Sequence, residues 1–388
     1  MTTLSDVALQ LGEQVIEQPC WAFGYSGAPR GVFTQPGVAR NVFEKIEDAA
    51  QVHKHTGVAP KVALHMLWDK TDSYRALRKH AENHGVWLGT IHSNTFQGED
   101  YRLCSVTHSD RKVRQEAIDH HFACIDIMGE TGSRDLKIWI ADGVSFPGQG
   151  DLRSRQQWLA ESLQRIHERL GQHQRLVLEY KFFDSAFYHS DVPDWCTAYA
   201  LVASLGERAV VCLNTGHYIS GSNIEFVVAQ LLRLGKLGSL DFNSRFYADH
   251  ALIVGAADPF KLFHILFEVV RTGDYGYGAE VAFTLDQCRN IRDKISCQIR
   301  SVLHVQEMTA RALMIDQEAL EMAQSKGDTL LANEIFMNAF YTDVRPFLAS
   351  WRESRGLPAD PIGAYARSGY GAEISISRPG GAPTDWCT

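Results

Sequence analysis

Donor side chains in this sequence collect at the ends of short apolar runs, the arrangement that a metal-assisted reaction on a small polar molecule requires. The run LVLEYKFF delivers Glu179 and Lys181, AVVCLNTGH delivers Asn214 and His217, LGSLDFNSR delivers Asp241, Asn243 and Arg245, and VAFTLD delivers Asp286. Earlier runs stop at His65, Trp68 and Asp69, at His92 and Asn94, and at Trp139 and Asp142. A carboxylate at the end of a buried run needs compensation, because leaving it unpaired costs several kcal/mol. A bound cation removes that cost. Glu179, Asp241 and Asp286, with Asn214 at the margin of the set, offer oxygen only, which suits Mn²⁺, Mg²⁺ or a similar hard divalent ion better than zinc. His217 with Asp249, and His250 beside it, make a second set of mixed nitrogen and oxygen donors.

Each residue also has an ordinary reading. A single Asp or Glu at a strand end commonly caps a helix, and a lone His beside an apolar run is commonly a satisfied structural side chain. Asp142, before GVSFPGQG, is most simply a turn residue, and Arg245 can serve only to neutralise a carboxylate. Trp68, Trp139, Phe183 and Tyr188 fit a core equally well, although aromatic walls over a polar floor are what a sugar pocket needs. The convergence of the set carries the inference. GYSGAPRG has neither the P-loop lysine nor the GxGxxG spacing of a nucleotide site, and no GxSxG elbow occurs.

What must position these residues is a repeated strand and helix rhythm. Apolar runs at 20–25, 61–68, 86–94, 136–142, 175–181, 209–217, 237–244 and 279–286 alternate with amphipathic segments, which predicts a (β/α)₈ barrel over residues 1–290. In such a barrel the carboxyl ends of the strands carry the chemistry. Residues 291–388 read as a helical extension and tail, packed on the barrel or on a neighbouring subunit, with a glycine- and proline-rich tip.

Composition narrows the class further. A chain of 388 residues with 45% apolar content can bury a large core, and a net charge of −8 gives no footprint for nucleic acid. No run approaches the roughly eighteen apolar residues of a membrane span, and the amino terminus lacks the order of a signal peptide, so a cytoplasmic location is expected. The eight cysteines contain no CxxC and read as reduced thiols.

The segments LEYKFFDSAFYH, NTGHYISGSNIEF, LLRLGKLGSLDFNSRFYAD, GAADPFKLF, LGTIHSNTFQGEDYRLCSVTHSD and TGSRDLKIWIADGVSFPGQ, with the late FTLDQC, resemble the bacterial L-rhamnose isomerases related to xylose isomerases. The resemblance runs from about residue 20 to residue 375, with the motifs in order. It implies a (β/α)₈ barrel, usually tetrameric though a dimer is open, that interconverts an aldose and its ketose with two divalent ions, commonly Mn²⁺. On this resemblance Glu179 and Asp286 match the first and last ligands of the structural ion. His217 and Asp249 match ligands of the catalytic ion, Lys181 a lysine near the substrate, and His65 and Trp139 residues that contact and wall the sugar.

Three positions depart from the family pattern. Asn214 replaces a bridging Asp, Asp241 replaces a His, and Ala251 stands where another carboxylate is expected. The first cluster keeps three carboxylates and can hold one ion, whereas the second is weakened. A metal-dependent isomerase of a rhamnose-like or other free sugar is therefore expected. A divergent sugar epimerase, an isomerase of another sugar derivative, or a catalytically impaired sugar-binding relative remain as alternatives.

Overall fold

The computed structural model describes residues 3–24, 35–183, 189–245, 252–273, 280–287 and 293–380. Eight parallel strands close into a barrel: β1 (Ile16–Pro19), β2 (Lys61–His65), β3 (Trp87–His92), β4 (Asp135–Trp139), β5 (Arg175–Glu179), β6 (Ala209–Asn214), β7 (Leu237–Phe242) and β8 (Ala282–Leu285). Each strand pairs with its sequence neighbour and β1 pairs with β8, so the fold is a (β/α)₈ barrel.

The first helix, α1 (Leu4–Gly12), precedes β1. The connecting helices are α2 (Val42–Thr56), α3 (Tyr74–Asn83), α4 (Arg111–Thr131), α5 (Leu152–Arg169), α6 (Trp195–Leu205), α7 (Ile224–Arg233) and α8 (Pro259–Val270). After β8 comes α9 (Lys294–Leu313), which packs against both α8 and α2 and so fills the last place in the outer ring. Side-chain caps fix most of the helix starts: Asn41, Ser73, Asp110, Asp151, Asp194, Asn223 and Asp258 each accept a backbone N–H of the first turn.

The expected first strand at 20–25 is a correction. The strand lies at Ile16–Pro19, and Cys20–Phe23 form a short 3₁₀ helix. Polar side chains hide this strand in the sequence. Glu17 points into the barrel, accepting from Thr90 N (2.7 Å), Thr90 Oγ1 (2.7 Å) and Thr284 Oγ1 (2.9 Å), while Gln18 Nε2 donates to the carbonyls of Ala49 and Ala59.

The remaining helices, α10 (Gln317–Ser325), α11 (Thr329–Tyr341), α12 (Arg345–Ser354), α13 (Pro361–Arg367) and α14 (Tyr370–Ser377), lie over one side of the ring. α11 packs on α9, α13 packs on α2 and α9, and Trp351 Nε1 donates to the Ala8 carbonyl. Beyond α14, the buried Arg378 reaches three carboxylates of α2: Glu44 at 3.5 Å, Glu47 at 3.2 Å and Asp48 at 2.9 Å. Among the described residues no helix is long and apolar enough to cross a membrane.

Two adjacent histidines of α4 give the fold a pH dependence. Burial lowers the pKa of His121 to about 3 and that of His120 to about 4. Both rings stay neutral in the folded chain and take up a proton near pH 6.5 once it unfolds, so the native state binds fewer protons below that pH. Stability present above pH 6.5 is therefore lost as the pH falls toward those folded values. We expect a loss of about 2 kcal/mol per ring between pH 7 and pH 5. Thermal melts at the two pH values measure it, and His121→Asn should remove about half of the difference; equal melting at both would contradict the assignment.

Candidate functional site

Strand register gathers the site. In the parallel ladders Trp139 lies beside Glu179, Glu179 beside Cys212, Asn214 beside Asp241, and Asp241 beside Thr284. The polar residues at the ends of β5, β6 and β7, with Asp286 just after β8, thus share one mouth of the barrel. Asn214 is its hub. Its Nδ2 donates to Glu179 Oε1 (3.0 Å) and to Asp286 Oδ2 (2.9 Å), while its Oδ1 accepts from Gly216 N (2.9 Å) and Asn243 Nδ2 (2.8 Å). The amide therefore turns its donor face, not its oxygen, between the two carboxylates.

His217 Nδ1 lies 2.8 Å from Glu179 Oε1, and both side chains are buried. Glu179, Cys212 and Asp241 offer ligand atoms within 4.8 Å of one another. Burial raises the pKa of Glu179, and burial together with the charges of Asp241 and Glu179 pushes Asp286 up to about 7. Negative charge is crowded here, which is the condition a divalent cation relieves.

Part of that charge is met from below by a residue the sequence reading did not single out. Lys137 precedes Trp139 by two positions on β4 and so projects from the same face. It is 1% exposed, and its Nζ donates to Ser239 Oγ (3.0 Å) and to Asp241 Oδ1. Burial opposes its charge, but Asp241 overrides that effect and raises the pKa of the ammonium. The strand alternation Lys137, Trp139 was the signal available in the sequence. A lysine at an inward barrel position has no apolar partner to suit it and needs a carboxylate opposite.

Aromatic rings wall the mouth. His65 stacks on Trp68 at 3.7 Å, and Phe96 stands edge-on to His65 (5.9 Å) and packs against Trp139 (4.6 Å). Trp21 contacts His65 at 5.5 Å and His92 at 4.7 Å, while Lys181 Nζ sits 4.9 Å from the centre of the Trp139 ring, 6.2 Å from which lies the ring of His217. Between His65 and Trp68 the backbone turns through Leu67 at φ 90°, a strained conformation for leucine that folds Trp68 back onto His65. Asn94 Nδ2 (2.8 Å) and Trp68 Nε1 (2.6 Å), the run-end residues expected to bind substrate with His65, Trp139 and Phe183, both donate to Gln97 Oε1 and so share a fixed partner. Burial lowers the pKa of His65 to about 3, keeping that ring neutral.

Phe183 departs from the group: it is 43% exposed, with its ring against Phe182. Trp21, His92 and Phe96 belong to the wall although the sequence did not name them as contacts. Trp21 was hidden by its assignment to a strand, and His92 was visible only as a strand-end residue. Asp249, His250, Ala251 and Tyr188 lie outside the described residues.

Two ordinary readings also change. Asp142 is no simple turn residue: buried, it accepts from the backbone and hydroxyl of both Ser105 and Thr107 at 2.8–2.9 Å. Thr107 Oγ1 in turn reaches Asp191, which pairs with Arg155 at 2.6 Å, so the loops after β3, β4 and β5 are clamped together. Arg245 lies over the Tyr218 ring at 4.5 Å, in a side cavity of about 210 Å³ that Thr215 and Asn243 also line.

Comparison with known proteins places this chain in a lineage. No known family model matches the chain. Two proteins named probable sugar isomerases, from Rhizobium meliloti and Mesorhizobium japonicum, are each 35% identical to it over 367 residues, spanning 93% of this chain and 85% of theirs. A solved structure of an L-ribulose 3-epimerase superposes with a TM-score of 0.56 at 12% identity, covering 81% of this chain and 97% of that one, and shares the barrel fold. Similarity at this level along nearly the whole sequence means that the chain belongs to the family of the two probable sugar isomerases.

Proposed function

We propose that the protein is a divalent-metal-dependent aldose–ketose isomerase of a free, rhamnose-like sugar, working in the cytoplasm as a homo-oligomer of two or four chains. The observation that carries this reading is the meeting of two buried carboxylates and the half-buried Asp286 with an aromatic wall whose polar atoms await a ligand. Among the described residues, the buried Trp139 Nε1 and His92 Nε2 have no hydrogen-bond partner. Buried polar atoms of that kind are rare unless water or a ligand completes them, and sugar hydroxyls supply both donors and acceptors.

The donor set fits a cation. Glu179 and Asp241, whose ligand atoms lie within 4.8 Å of each other, would hold it, with Asp286, Asn214, His217 and Asp249 as further donors; Mn²⁺ is the ion favoured, with Mg²⁺ and Co²⁺ as substitutes. Such an ion supplies polarisation of the sugar's carbonyl and hydroxyl oxygens. The protein's own groups do the rest. Glu179 Oε1 and His217 Nδ1, 2.8 Å apart, form a pair across which a proton taken from the sugar can be shared. Lys181, fixed over the Trp139 ring, brings positive charge beside a developing oxyanion. Asn214 keeps the carboxylates apart and cannot act as a base.

The test is a panel of aldoses and ketoses incubated with the metal-stripped protein and added Mn²⁺, Mg²⁺ or Co²⁺. Conversion of an aldose to its ketose that chelation abolishes is expected. Epimerisation at C3, or sugar binding without turnover under every ion, would replace the proposal by one of those activities. Run in deuterium oxide, the same reaction tests the route: solvent deuterium at C1 of the ketose marks proton transfer through the Glu179 and His217 pair and excludes a pure hydride shift.

A further inference from the structure

The outer helical layer carries a second cluster of metal-binding chemistry. Glu47 on α2 faces His80 on α3 and His84 at its carboxyl cap, and their three ligand atoms lie within 4.8 Å of one another. The histidines are four residues apart and thus share one helix face, with ring centres 4.3 Å apart. His80 Nε2 stands 3.6 Å from Glu47 Oε1, close to the roughly 3.4 Å edge of a tetrahedron with zinc–nitrogen bonds of about 2.1 Å.

The second nitrogen of each ring decides what the first can do. His84 Nδ1 lies 2.9 Å from the His80 carbonyl, which fixes Nδ1 as the protonated nitrogen and leaves the Nε2 lone pair free. His80 is within backbone hydrogen-bonding reach of Phe43, and among the described residues its buried Nε2 has no hydrogen-bond partner. Glu47 is oriented as well, because its Oε2 accepts from Arg378 at 3.2 Å and leaves Oε1 toward His80. Backbone anchoring of one imidazole nitrogen and outward presentation of the other is how metal-ligating histidines are held. Histidines near a helix carboxyl end also complement its dipole, but that role needs no carboxylate from another helix facing both rings.

We propose that Glu47, His80 and His84 form a structural site for a zinc-class divalent cation, with water as the fourth ligand, joining α2 to α3 and, through Glu47, to Arg378. Two imidazoles and one carboxylate select Zn²⁺ over the hard ions suited to the barrel mouth. The site lies in the outer helical layer, between α2 and the carboxyl end of α3. It goes beyond the proposed isomerisation and does not depend on it.

Calorimetric titration of the metal-stripped full-length protein with ZnCl₂ tests the site. His84→Asn should lose one equivalent of bound Zn²⁺ and the visible absorption of tetrahedral Co²⁺, while sugar turnover with added Mn²⁺ is unchanged. Zinc at a hundredfold excess over its dissociation constant at this site should raise the melting temperature of the wild type by roughly 3–6 °C beyond that of the variant. His80→Asn/His84→Asn repeats the measurement with both rings removed; if it fails to fold, the exposed His84 position carries the test alone. Equal zinc counts and equal Co²⁺ spectra in wild type and His84→Asn overturn the proposal.

Discussion

Replacing Lys137 with methionine will destabilise the barrel by about 3–5 kcal/mol, the usual cost of leaving one partner of a buried ion pair alone. The side chain is 1% exposed and its ammonium is shared between Ser239 and Asp241, so no water is at hand to take its place. The loss belongs to Asp241 rather than to the lysine, which makes the double variant informative. In Lys137→Met/Asp241→Asn no charge is stranded, and most of the stability should return. Urea unfolding of wild type, single and double variants measures the coupling. If the double variant is as unstable as the single, the pair is not the source of the effect. Added Mn²⁺ should also stabilise Lys137→Met more than the wild type, because without the ammonium the Asp241 charge is met by the ion alone.

Glu179→Gln gives the opposite profile, a large loss of activity with little loss of fold. The glutamine carbonyl can still accept from Asn214 Nδ2, and one buried negative charge disappears from a crowded mouth, so melting should be unchanged or slightly higher. Isomerase turnover should fall by roughly 10²–10⁴-fold, the range typical for removing a positioned acid or base, and the affinity for Mn²⁺ should fall with it. Steady-state rates and a metal titration on the same preparation check both. Retention of full turnover would remove Glu179 from the chemistry.

These variants also show which parts of the molecule are readable from its residues. Parallel strands covered by helices on the outside appear as continuous apolar runs, and that is why β2 to β8 are legible at nearly their observed positions. β1 is not, because Glu17 and Gln18 spend their polar groups on Thr90, Thr284 and backbone carbonyls, contacts that periodicity cannot anticipate. The candidate site divides the same way. Glu179, Asn214, Asp241, Asp286 and His217 stand out as polar residues closing apolar runs, and the barrel brings them to one mouth. Lys137 lies inside a run rather than at its end, so its partner 104 positions later becomes visible only once β4 and β7 face each other. Phe96 lies in a loop whose path no pattern fixes. Asp142 could be read as polar and adjacent to a turn, but not as the acceptor that binds two other loops.

The anchoring of Arg378 reaches back to the first connecting helix across 330 positions. Joining residues so far apart is slow relative to local contacts, and its loop-closure cost is met only when Arg378 docks. Until it does, Glu44, Glu47 and Asp48 stand side by side on α2 without their shared cation, repelling one another. Neutralisation of that helix face thus waits on a distant segment, and the two regions mature as one unit.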